Sequence, residues 1–225
     1  MIETGTDVIA SHIVWDWNGT LLNDNDAVLA AVNDVCAGFG RPALTLEQWR
    51  EVYMRPVLKC YEQVLARTFT AAEWAEVDRL YHQRYDQLFS TCALAEGAVD
   101  LLKAWRDSGR TQSLLSMWFH NQLVPAVADF GLDDLFQRVD GLRSEVGGDS
   151  KAEHLAQHIE AQGLNPASVV LIGDVVDDAL AAAEVGTGCI LVTTGVMSRT
   201  SLVSTGAPVA DSLTAALALL PTRSR

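Results

Sequence analysis

Positive charge is scarce in this chain. Sixteen lysines and arginines face 29 aspartates and glutamates among 225 residues, a formal net charge of −13. Lysine occurs only as Lys59, Lys103 and Lys151. Such a field repels polyanions, which excludes nucleic acid and anionic membrane surfaces as partners. Cysteine is sparse as well. Cys36, Cys60, Cys92 and Cys189 stand far apart, without a CxxC pair, which fits free thiols in a reducing compartment rather than a disulfide scaffold or a zinc site. No apolar run approaches the ~18 residues that a membrane span needs. The first residues carry Glu3 and Asp7 and lack both a basic stretch and an apolar stretch, so they do not read as a signal peptide. The expectation is a soluble, cytoplasmic protein. Internal repeats and low-complexity segments are also missing.

What is present is an ordinary globular composition, 49% hydrophobic and 20% charged. Short apolar runs at residues 8–15, 112–115 and 169–172 end abruptly in Asp16, Ser116 and Gly173-Asp174. Each reads as a buried strand bounded by turn-formers. Residues 189–192 predict a fourth strand, and residues 208–210 a weaker fifth, followed by a helix capped by Asp211 or Ser212. Helical patterns at 97–108, 121–130, 151–162 and 177–185 run into Gly109, Gly131, Gly163 and Gly186. Alternating strands and helices predict an α/β fold with a doubly wound parallel sheet, whose functional residues gather at the carboxyl ends of the strands. Residues 24–94 differ. Their apolar spacing is helical throughout, broken at Pro42 and Pro56, and they predict an all-helical insert over the catalytic edge. The expected division is an α/β core of residues 1–23 and 95–225 with a cap of residues 24–94.

Two constellations carry chemistry. In IVWDWNGTLLND, Asp16 closes a strand and a Gly19-Thr20 turn follows. In VVLIGDVVDD, a Gly precedes three crowded carboxylates, Asp174, Asp177 and Asp178. These repel one another unless a cation lies among them, and oxygen-only ligands favour Mg²⁺. Taken singly, each has a plainer account: a strand-to-turn junction with a capping Asp, and an acidic helix N-terminus favoured by the macrodipole. Ser116 alone is explained by turn chemistry, and Lys151 alone by solvated surface.

In order, Asp-x-x-Gly-Thr, strand-Ser, Lys, Gly-Asp-x-x-x-Asp resembles the four motifs of the haloacid dehalogenase superfamily. The helical insert after the first motif is similar to that family's phosphoglycolate phosphatase and β-phosphoglucomutase branch. The resemblance covers nearly the whole chain and implies a Rossmann-like core and an inserted helical cap. It implies Asp16 as a nucleophile that forms an aspartyl-phosphate, with Ser116 and Lys151 on the phosphoryl oxygens. It further implies Mg²⁺ held by Asp16, the backbone carbonyl of Asn18 and Asp174, with Asp178 supporting the metal's water shell. The activity implied is that of a phosphoric monoester hydrolase acting on a small phosphorylated metabolite. Gly19, Thr20 and the cap residues Arg55 and Lys59, with Arg67, are candidates to touch the substrate.

One departure matters. Phosphatases of this family carry a second Asp two residues after the nucleophile, where this chain has Asn18. An amide cannot transfer a proton there, and general acid–base help is worth ~10²–10⁴-fold in rate. Two lesser departures are Met117 after Ser116 and Ala152 after Lys151. Two other readings stay open. One is C–P bond hydrolysis resembling phosphonoacetaldehyde hydrolase, with Lys59 as a Schiff base. The other is a catalytically impaired phospho-ligand binder or regulatory protein. Oligomeric state is not legible.

Overall fold

The computed structural model describes residues 10–143 and 150–220. Residues 1–9, on which the reading of the N-terminus rests, lie outside the described residues. The chain opens on β1 (His12–Trp15), whose side chains are all buried, and turns through β2 (Leu22–Asn23). Four helices follow: α1 (Asn25–Gly38), α2 (Leu46–Val52), α3 (Leu58–Leu65) and α4 (Ala71–Leu88). Then come β3 (Ala93–Leu94), α5 (Ala98–Asp107), β4 (Thr111–Phe119), α6 (His120–Asp129) and β5 (Val139–Leu142). The last third holds α7 (Lys151–Glu160), β6 (Val169–Gly173), α8 (Val176–Val185), β7 (Gly188–Val192), α9 (Arg199–Val203), β8 (Val209–Ala210) and α10 (Leu213–Ala218). No described helix is long and apolar enough to cross a membrane.

Six strands pair in the order β5-β4-β1-β6-β7-β8, all parallel. The α/β reading therefore holds, and a helical cap is inserted between β1 and the rest of the sheet. Both faces are covered. One apolar cluster gathers Ile13, Trp15, Leu102, Leu114 and Ile172, and the other gathers Val14, Leu115, Leu155, Leu171 and Ala182. Alternate residues of β1 thus serve opposite faces, as a strand buried on both sides requires. α1–α4 enclose an apolar cluster of their own, built on Val32, Trp49, Tyr61, Val77 and Tyr85. Thr45 and Thr70 start α2 and α4 with reciprocal capping boxes to Gln48 and Glu73.

Several strand boundaries differ from expectation. β1 begins at His12, because Ala10 and Ser11 lie outside the ladder, and residues 8–9 are not described. β4 does not stop before Ser116. Met117, Trp118 and Phe119 prolong it, and Phe119 pairs with Leu142 beyond an irregularity that starts after Leu115. Gly141 permits this, since a Cβ there would meet the Trp118 carbonyl oxygen at 2.5 Å. β5 was not expected, because Asp140 and Gly141 interrupt its apolar pattern. The insert is not wholly helical at its edge. β2 and β3 form a two-stranded antiparallel ribbon, Leu22 opposite Leu94 and Asn23 opposite Ala93, too short to leave an alternation in sequence. The last helix takes Ser212 as its cap, through a bond from the Ala215 N–H.

Buried polar groups also join the sheet at its amino end. Ser113 Oγ lies 2.7 Å from His12 Nε2 and 2.7 Å from His158 Nε2. His158 Nδ1 lies 2.7 Å from Asp140 Oδ2, and His12 Nδ1 2.7 Å from Thr111 Oγ1. Burial, then the neighbouring His158, lowers the His12 pKa to about 4.

Candidate active site

β1 is the topological switch point: β4 and then β5 are laid down on one side of it, and the chain crosses back to build β6, β7 and β8 on the other. A crevice at the carboxyl ends follows from that order, and Asp16 stands in it as the first residue past β1. Its N–H donates to the Ile172 carbonyl at 2.9 Å, which brings Asp16 beside Gly173-Asp174 at the end of β6. Ser116 projects from β4 on the other flank and is buried. Lys151 opens α7, with Ser150 as N-cap. Its ammonium donates to Asp16 Oδ1 at 2.6 Å and also pairs with Asp178.

Charge in this cluster does not balance. Asp16, Asp174, Asp178 and Lys151 are all buried, three carboxylates to one ammonium. Burial pushes the Asp16 carboxyl up to about 6 despite the pull of Lys151, and Asp178 adds to the rise. Asp174 is raised well above the usual carboxylate range by burial, then by Asp16 and Asp178. Burial works against the Lys151 ammonium, but Asp16 and Asp178 more than offset that and raise its pKa. A divalent cation would offset the excess. Among the described residues no group of three or more His, Cys, Asp or Glu side chains is arranged to hold a metal. Asp16 and Asp174 are the two hard carboxylates that could hold one. So small a protein set suits Mg²⁺, which keeps several waters and substrate oxygens. Asp178 is otherwise engaged, with Lys151 on Oδ1 and the Val175 N–H on Oδ2 at 3.0 Å.

Glycine is required twice around Asp174. At Gly19, which has φ +70°, a Cβ would lie 2.5 Å from Asp174 Oδ2, and at Gly195 one would lie 1.7 Å away. Both loops therefore press bare backbone against this carboxylate.

Asp24 is the residue that sequence reasoning missed. Buried at the entry to α1, it accepts from the Gly19 N–H (2.9 Å), the Asn18 Nδ2 amide (2.9 Å) and the Tyr85 hydroxyl (2.8 Å). It thus ties the loop after the nucleophile to α4. Its position as the last acid of the IVWDWNGTLLND segment was the only signal. Two more ties join cap and core, Asn25 Nδ2 to the Thr194 carbonyl (2.6 Å) and Arg50 Nε to the Gly195 carbonyl (2.9 Å), and within the core Thr194 Oγ1 donates to the Gly19 carbonyl (2.7 Å).

The remaining candidates divide. Thr20 Oγ1 donates to Asp174 at 3.3 Å, while the N–H groups of Gly19 and Thr20 go to Asp24 and the Trp17 carbonyl. Ser116 Oγ accepts from the Trp118 N–H at 3.1 Å. Arg55 is brought to the edge of the site, 3.9 Å from Asp177 and within electrostatic reach of Asp16 and Asp178. Lys59 is not: its side chain is 57% exposed and its ammonium pairs with Glu62 at 2.6 Å. Arg67 is not either, since it pairs with Glu73 and lies over the Phe39 and Phe69 rings within the cap.

Residues 10–186 match the family profile described as haloacid dehalogenase-like hydrolase. A phosphoglycolate phosphatase of Synechococcus elongatus is 27% identical over 202 residues, 85% of this chain and 88% of that protein. One of Thiobacillus denitrificans is 26% identical over 185 residues, 77% of this chain and 79% of that protein. Among solved structures, a haloacid dehalogenase-like family hydrolase from Streptococcus pneumoniae superposes with a TM-score of 0.77 at 21% identity, covering 92% of this chain and 97% of that one. That last likeness speaks to the fold alone.

Proposed function

The chain belongs to the haloacid dehalogenase-like hydrolase family, and on that premise we propose that it is a Mg²⁺-dependent phosphatase of small phosphorylated metabolites that works through an aspartyl-phosphate on Asp16. One observation carries the reading: three buried carboxylates stand with a single buried ammonium, which pairs with only two of them, at the carboxyl edge of the sheet. That excess of negative charge suits a site completed by a metal and a phosphoryl group. The named activity of the relatives supports the same class of reaction.

A carboxylate oxygen of Asp16 bonds to phosphorus as the bond to the leaving oxygen breaks, and the leaving group takes the electron pair. Water then attacks the aspartyl-phosphate, returning free phosphate and the Asp16 carboxylate. Lys151 and Ser116 bind the phosphoryl oxygens as charge shifts during both steps. Mg²⁺, held by Asp16, the Asn18 carbonyl and Asp174, supplies charge neutralisation at those oxygens. Asp178 acts at one remove, holding Lys151 and the turn before α8. Gly19 and Thr20 serve by shaping the loop: Gly19 leaves room for Asp174, and Thr20 donates to it. Residues 24–94 act as a cap over residues 1–23 and 95–225, excluding water from Asp16. Arg55 is the cap cation placed to meet an anionic end of the substrate.

Phosphate release from 4-nitrophenyl phosphate tests the reading. Release should require Mg²⁺ and stop on chelation. Release that persists after exhaustive chelation would defeat the metal-assisted mechanism.

A further inference from the structure

Asn18 occupies the position where a proton donor is expected, and its surroundings say which end of the amide faces outward. Its Nδ2 lies 2.9 Å from Asp24 Oδ2 and 2.8 Å from the Tyr85 hydroxyl. A carboxylate oxygen only accepts, so the amide must turn its nitrogen toward Asp24. The Tyr85 hydroxyl donates to the same Asp24 oxygen and accepts from Asn18, which closes a triangle around the amide nitrogen. Tyr85 itself is buried among aromatic rings. The Phe89 ring centroid is 6.2 Å away, Tyr81 stacks at 6.0 Å, and Trp118 meets it edge-on at 6.4 Å. The nitrogen end of Asn18 is therefore held in place from the cap. Among the described residues no protein donor meets its Oδ1, so the carbonyl oxygen is the end left for a ligand.

An acceptor at this position opposes negative charge on a departing oxygen instead of relieving it. We infer that Asn18 serves as a hydrogen-bond acceptor held in that sense by Tyr85, and that the substrates are phosphoryl compounds with a weakly basic leaving oxygen, acyl phosphates foremost. Such a group leaves as an anion and needs no proton, so the missing acid costs little. Once it has left, Oδ1 can accept from the incoming water and orient it without taking its proton. Tyr85 is then a positioning residue, and Asn18 the residue that meets substrate or water. The inference rests on the phosphatase reading above.

The test measures first-turnover release from acetyl phosphate and 4-nitrophenyl phosphate against phenyl and ethyl phosphate, with Mg²⁺ present. The native protein should favour the first pair strongly. Asn18→Asp should narrow that gap by about 10²-fold, the worth of a general acid. Tyr85→Phe keeps the ring and removes the hydroxyl. It should narrow the gap by about fivefold, the equivalent of one ordinary hydrogen bond that the freed amide can offer. A purely structural role for Tyr85 would slow all four substrates by one factor, and that result would overturn its assignment. A gap unchanged in both variants would overturn the inference while phosphate release kept the phosphatase reading. Release from none of the four by the native protein would overturn both.

Discussion

Two buried polar networks lie at opposite ends of the same sheet strands, and they differ in whether their charges and hydrogen bonds are matched. His12 opens β1 and Asp16 follows its last residue, four positions on and roughly 13 Å along an extended chain. At the amino end, Ser113, His158 and Asp140 line up as a Ser-His-Asp series, each contact 2.7 Å. At the carboxyl end, Asp16 and Asp178 pair with Lys151, and the buried Asp174 adds a third carboxylate to the cluster. The first network has the outline of a nucleophile with its base, yet Ser113 and His12 are fully buried and each ring nitrogen of both histidines has a partner. Bonds from His158 and Arg138 hold Asp140 below the usual carboxylate range in spite of burial. The second has charge left over. A completed network stabilises a fold, whereas an incomplete one binds something; arrangement of residue types alone does not tell them apart.

The widest expected separation between the two is in turnover. Asp16→Asn should lower phosphate release at least ~10³-fold, with the fold retained because repulsion is relieved. Substantial residual turnover would return the carboxyl-end cluster to a structural role. Metal binding should separate them next. Mg²⁺ at about a hundred times its dissociation constant should stabilise the protein by about 2.7 kcal/mol in denaturant unfolding, and Asp174→Asn should remove most of that gain. Equal gains in both proteins would sink the ligand assignment.

Ser113→Ala probes the completed network. It strands an imidazole nitrogen on each side, so unfolding free energy should fall by about 2 kcal/mol while turnover stays within a few-fold of native. Loss of turnover without loss of stability would mean the amino-end series is chemical after all. Acid should then act on the two networks with opposite signs. The His12 pKa, about 4 when folded against 6.5 as a free side chain, means its share of stability is full above 6.5 and is lost as pH falls toward 4. Asp16, raised to about 6 in the metal-free fold, instead favours that fold as pH falls through 6 toward 3.8. Between pH 7 and 5, His12→Gln should remove about 1.5 kcal/mol of the native acid sensitivity, measured without metal. Parallel profiles for the two proteins would place the acid response elsewhere.

Local pattern carried most of the architecture. The strands before Asp16 and Asp174 were legible because apolar runs stop at acids, and α5, α6, α7 and α8 because each pattern stops before a glycine. β5 was not legible, since Val139-Asp140-Gly141-Leu142 lacks an apolar run. The reach of β4 was not either, since a serine inside a strand looks like its end. The four residues Asp16, Ser116, Lys151 and Asp174 could be picked out because their order resembles the motifs of a known family, though each alone had a plainer account. Asp24 and Tyr85 could not, because 61 residues separate them and nothing local marks a tyrosine on α4 as facing the nucleophile loop. The triangle on Asn18 exists only once the cap is packed. The Ser113 network escaped for the same reason, its members lying between 45 and 101 positions apart along most bonds.

The little ribbon of β2 and β3 has a modular consequence. The cap leaves the core at Asn23 and returns at Ala93, and these two residues are cross-strand neighbours. The insertion therefore begins and ends at nearly one point, as a two-residue hairpin turn would. A tight turn grafted between Asn23 and Ala93 would restore a continuous core chain, and helical inserts of other lengths could be spliced at the same two positions without shifting the register of the six-stranded sheet. Such an exchange would also remove Asp24 and Tyr85, so a new insert would have to supply its own hold on Asn18 and the Gly19 N–H.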